Sequence, residues 1–147
     1  MREHGRLTSP IVAAVFASIA TACGSSSTPT SPSSAAAPTV NFSQQIQTAI
    51  LTPSCVGCHT DEGRTPAGGL NLKSGSAHSS LVGVASTGKP GAVRVIPANP
   101  SGSYLVQKLE GAPDIVGLRM PRNGPPYLTD AQIALIRQWI QNGAPNN

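Results

Sequence analysis

Apolar positions fall into a few separated groups along this chain. Ile11 to Ala22, IVAAVFASIATA, is a nearly continuous apolar run. Phe42 to Leu51, FSQQIQTAIL, has helical spacing that puts Phe42, Ile46, Ala49 and Ile50 on one face, with Asn41 or Ser43 as cap and Thr52-Pro53 as the end. Ser101 to Leu109 predicts a short helix with Ser101 or Ser103 as cap. Tyr104, Leu105 and Leu109 face inward, and Gly111 and Pro113 stop it. Thr129 to Asn142 is the clearest element. Thr129 and Gln132 form a capping box, Ile133, Ile136, Trp139 and Ile140 make the apolar face, and Gly143 with Pro145 closes it. Glu62 to Lys89, between these groups, is rich in Gly and Ser, carries GGLNL at 68–72 and small apolar clusters at Leu81 and Val84, and reads as loop. No convincing hairpin appears. The predicted fold class is all-α, three main helices plus long loops, and loops of that length in a small domain are expected only where they enclose a ligand.

The first apolar run falls short of the roughly 20 residues that span a bilayer. It follows MREHGR, in which Arg2 and Arg6 outnumber Glu3, and a Ser/Pro tract succeeds it. Residues 1–22 therefore read as a secretory signal. Ala20-Thr21-Ala22 fits cleavage to a soluble form. Ile19 to Cys23 also resembles a bacterial lipobox, with Ala20 where Leu is usual, and a lipid anchor on Cys23 is the favoured outcome because a tether follows. Within 23–40, Gly24 to Thr39 has no charge and no large apolar residue. Such a segment is flexible, spanning about 20 Å at rest and about 50 Å when pulled out. The expected location is outside the cytoplasm, on the periplasmic side or cell surface, anchored to a bacterial membrane. Residues 41–147 form the domain. Its eight Lys/Arg against five Asp/Glu are scattered, which excludes a nucleic-acid footprint. Its only aromatics are Phe42, Tyr104, Tyr127 and Trp139, so its core calls for a staple that side chains do not provide.

Ser54 to Thr60, SCVGCHT, supplies a candidate. With Cys23 in the export segment, only Cys55 and Cys58 remain, and no second C-x-x-C exists to complete a four-cysteine zinc site. A redox dithiol belongs in a βαβ context that is lacking here, and a mixed zinc site would draw on His78 in a Ser-rich loop. C-x-x-C-H is also the attachment signature of haem c, two thiols for the porphyrin vinyl groups and a histidine for the iron, and this reading is favoured. A six-coordinate haem needs a second axial donor, usually Met or His. Met120 is the chain's only methionine besides Met1 and sits in a Pro/Gly-rich loop, LRMPRNGPPYL; His78 is the lesser candidate.

An N-terminal helix, C-x-x-C-H, a long wrap, a Met-Pro loop and a C-terminal helix with an aromatic resemble a class I monohaem cytochrome c. More narrowly, CVGCHTDEG, GGLNL, VIPANPSGSYLVQKL and MPRNGPPYLTDAQIALIRQWIQNGA are similar to the planctomycete-type cytochrome c domain, over about residues 42–143. The resemblance implies a small cytochrome c fold around one covalent haem c. Cys55 and Cys58 carry the thioethers, and His59 and Met120 ligate the iron. It also implies crossed N- and C-terminal helices that pair Phe42 and Ile46 with Trp139 and Ile136. A proline carbonyl orients the proximal histidine in many members, and Pro66 is the candidate, at an unusual offset. Arg119 and Arg122 are candidates for the haem propionates, with Arg94 and Tyr127 behind them.

The implied function is single-electron transfer between redox partner proteins at a membrane, with no catalytic residues. The alternatives are a haem peroxidase or gas sensor with a labile Met120, and a haem subunit of a larger dehydrogenase complex.

Overall fold

The computed structural model describes residues 39–61 and 66–147, so the signal, Cys23 and almost all of the tether lie outside the described residues. Helix α1 runs Phe42–Leu51 and continues through a last turn, Thr52–Ser54; α2 is Ala77–Leu81, α3 Tyr104–Glu110 and α4 Asp130–Gln141. The described residues form no strand, only isolated bridges of Val82 with Val95 and Ala85 with Val93. The fold class is all-α, as expected.

Helix α1 departs from expectation in its winding. Asn41 caps it by accepting the Gln44 N–H at 2.8 Å. At its end the Thr52 N–H reaches back five residues to the Gln47 carbonyl, as in a π-helix. Phe42, Ile46, Gln47, Ile50 and Leu51 are buried, whereas Ala49 is exposed. The winding accounts for both. At about 100° per residue, an α-helix would set Leu51 opposite Phe42 and Ala49 beside it. At about 80° per residue, i→i−5 winding brings Gln47 and Leu51 under Phe42 and turns Ala49 outward.

Helix α4 matches its prediction. Both halves of the capping box between Thr129 and Gln132 are formed, and Ile133, Ile136, Trp139 and Ile140 are buried. It packs on α1, with the Phe42 and Trp139 rings 5.0 Å apart. His78 of α2 meets the Phe42 ring edge-on at 5.3 Å and lies 2.9 Å from the Ala144 carbonyl through Nε2. Asn147 folds back on α1, its side-chain oxygen accepting the Phe42 N–H at 2.7 Å. Helix α3 starts at Ser103 and stops at Gly111, whose φ of 73° needs the freedom of glycine. The Ser103 hydroxyl does not cap the helix. It accepts the Ile96 N–H and donates to the Asn99 carbonyl, pinning the preceding loop. Tyr104, Val106 and Leu109 are buried, while Leu105, expected inward, is only half-buried. The wrap expected as pure loop contains α2 and a short 3₁₀ turn, Ala67–Gly69.

Candidate functional site

The end of α1 builds one wall of the site. The Cys55 N–H donates to the Leu51 carbonyl at 2.9 Å, and the His59 N–H to that of Cys55 at 3.0 Å. The helical path therefore persists past Ser54, and Cys55, Cys58 and His59 all line a single cavity of about 530 Å³. That volume lies in the range of small-molecule and cofactor sites, roughly 300–1,000 Å³. The other walls come from far along the chain and are mostly apolar: Leu70, Leu72 and Leu81 from the wrap, Leu105 and Leu109 from α3, and Met120 from the loop before α4. The half-buried face of Leu105 is thus cavity wall. All four residues predicted to hold the cofactor are brought together.

Burial, and then the neighbouring Cys58, push the Cys55 thiol up to about 11. A reactive redox thiol needs the opposite shift, toward the thiolate, so this buried setting does not favour that role for Cys55. His78 does not line the cavity, being held between Phe42, Trp139 and Ala144. Among the described residues no group of three or more His, Cys, Asp or Glu could hold a metal ion.

His59 is oriented by a carbonyl, though not that of Pro66. Its Nδ1 lies 2.8 Å from the Ala67 oxygen. A carbonyl only accepts, so Nδ1 carries the hydrogen and Nε2 keeps its lone pair. Burial lowers the ring's pKa, the Ala67 and Leu70 carbonyls act against that, and the Arg94 cation adds to the lowering. A neutral imidazole with a free Nε2 is the form that ligates a metal.

Arg94 is the site residue to which sequence gave little weight. It lines the cavity at 8% exposure. It donates to the Ser80 carbonyl at 2.8 Å and to those of Gly68 and Gly69 at 3.1 Å each. Among the described residues no carboxylate pairs with it, and desolvation by burial lowers its pKa. Arg122 also lines the cavity. Arg119 turns away, donating from Nε to the Leu109 carbonyl at 2.7 Å and stacking 4.3 Å from the Tyr127 ring.

Met120 is half-buried, its N–H bonded to the Lys108 carbonyl at 2.9 Å. Lys108 also secures the loop by donating to the carbonyls of Val116 and Leu118. Met120 thus reaches the cavity from a loop tied to α3.

No family model, curated protein or solved structure matches this chain.

Proposed function

We propose that the domain is a monohaem c-type cytochrome that carries single electrons between partner proteins outside the cytoplasm. The observation that carries this reading is the convergence of two thiols, a neutral histidine with its hydrogen on Nδ1 and its lone pair on Nε2, and a thioether on one largely apolar cavity. The residues fit the group well. The apolar walls suit a porphyrin, and buried Arg94, whose partners among the described residues are carbonyls and not carboxylates, suits one of its carboxylates.

Cys55 and Cys58 would hold a haem c covalently, each thiol adding across a porphyrin vinyl group with the sulfur on one vinyl carbon and the hydrogen on the other. His59 Nε2 and Met120 Sδ would ligate its iron, and the Ala67 carbonyl fixes the tautomer that leaves the lone pair on Nε2. When bound, the haem supplies a one-electron iron couple. The apolar leucines exclude water, and the thioether favours the reduced state. With both axial positions taken by side chains, outer-sphere transfer is the natural chemistry. Lipidation of Cys23 would keep the domain near membrane partners.

The test is a haem stain on a denaturing gel after expression with a competent maturation system. The chain stains, and Cys55→Ala with Cys58→Ala does not; an unstained chain would overturn the reading. One observation favours a peroxidase or gas sensor as the second reading. Met120 follows a loop in which Val116 and Leu118 are 55% and 60% exposed, so its sulfur has a weakly packed support. A sulfur-to-iron charge-transfer band in the oxidised protein supports the carrier, and a high-spin spectrum at neutral pH supports the sensor or peroxidase.

A further inference from the structure

The Ala67–Gly69 turn is held from two sides. On the inside, Ala67 gives its carbonyl to His59 Nδ1 and its N–H to the Cys58 carbonyl at 3.3 Å. On the outside, the Gly68 carbonyl accepts from Thr87 Oγ1 at 2.6 Å and from Arg94 Nη2 at 3.1 Å. The Gly69 carbonyl accepts from the same Nη2 at 3.1 Å. Gly68 and Gly69 sit at φ of 65° and 60°, a conformation other residues rarely adopt, so the turn depends on its outer partners to keep its shape. Arg94 reaches the Ser80 carbonyl with its other nitrogen, which ties the turn to α2 and the core beneath it.

We infer that Thr87 and Arg94 are positioning residues for His59: they clamp the Gly68 and Gly69 carbonyls so that the Ala67 carbonyl stays on Nδ1. With His59 taken as the iron's axial donor, as proposed above, the clamp also sets how strongly that ring donates. A hydrogen bond from Nδ1–H to a carbonyl raises the basicity of Nε2. A loosened turn weakens the bond, reduces donation and favours the reduced iron. Thr87 is the informative half of the clamp. It is exposed and, unlike its neighbours Ser86 and Gly88, does not line the cavity. Its hydroxyl therefore reaches the cofactor through the turn, and Thr87→Ser separates the hydroxyl from the backbone at 86–88.

The experiment compares the loaded wild-type chain with Thr87→Val, Thr87→Ser and Arg94→Lys. The readouts are the solvent exchange of the His59 Nδ1–H by NMR and the midpoint potential. Loss of one such hydrogen bond predicts exchange faster by roughly fivefold in Thr87→Val. The potential rises, and Thr87→Ser, which keeps the hydroxyl, returns both values to wild type. Arg94→Lys gives the larger acceleration because it dismantles a two-carbonyl contact. Wild-type exchange in Thr87→Val overturns the clamp. A failed haem stain overturns the cytochrome reading instead, and Nδ1–H exchange in the unloaded chain then still decides the clamp.

Discussion

Cys55 and Arg94 border the same cavity with opposite electrostatic problems. A thiol held neutral at about 11 costs nothing at neutral pH, whereas a buried guanidinium costs free energy until an anion joins it. The thiol predicts a pH dependence. Its ordinary value is 9.0 and its folded value about 11. Between these the unfolded chain has released a proton that the folded chain retains. Its contribution is complete below pH 9.0 and is lost as pH rises toward about 11. The stability of the unloaded domain should fall by about 2 kcal/mol across that window in urea titrations, and Cys55→Ala should remove this part of the slope. At Met120, substitution by Leu is expected to abolish the sulfur-to-iron charge-transfer band while leaving covalent haem in place. That Cys55, Cys58, His59 and Met120 share a cavity was legible in the sequence because they stand at fixed spacing or as the lone representative of their type. The Ala67 carbonyl was not, since a backbone oxygen has no identity in sequence and Pro66 next to it looked the better candidate. Arg94 was undervalued because nothing in GAVRVIP tells that its partners are the carbonyls of residues 68, 69 and 80.

Among the elements, α4 was readable in both ends and face. Helix α1 was readable in its Asn41 cap and its run from Phe42 to Leu51 but not in its face, and the difference is winding. An amphipathic stripe is inferred by assuming an angle per residue, and the wrong angle misplaces residues increasingly along the helix. Ile50 still falls on the buried face, but Ala49 and Leu51 change sides. The exposure pattern of α1 therefore yields a discriminating pair of substitutions. Ala49→Glu should leave stability within about 0.5 kcal/mol, and Leu51→Ala should cost about 2–5 kcal/mol, both by chemical denaturation. An α-wound helix would bury Ala49 and expose Leu51, giving the reverse order. On α4, Thr129→Ala removes the hydroxyl that accepts the Gln132 N–H and should cost about 1 kcal/mol.

At the scale of the molecule, the scarcity of aromatics and the length of the loops were one signal, for a chain that leaves space in its middle. The all-α class is as expected, and Phe42 packs on Trp139. The cavity is lined by residues from Ser54 to Asn123, so the proposed cofactor would tie wrap, α3 and Met120 loop together. Loaded protein should accordingly melt well above the chain with both cysteines replaced by alanine, as followed by circular dichroism. The meeting of Asn147 with the start of α1 bears on something else. The Ser43 N–H donates to the Asn147 carbonyl at 2.8 Å and Asn147 Nδ2 donates to the Val40 carbonyl at 3.4 Å, so residues 40 and 147 lie side by side. A segment with adjoining ends can be spliced into a surface loop of another protein, or have its ends joined and be reopened elsewhere, at small geometric cost. The stretch 40–147 has that geometry: a chain carrying it would enter and leave at one point.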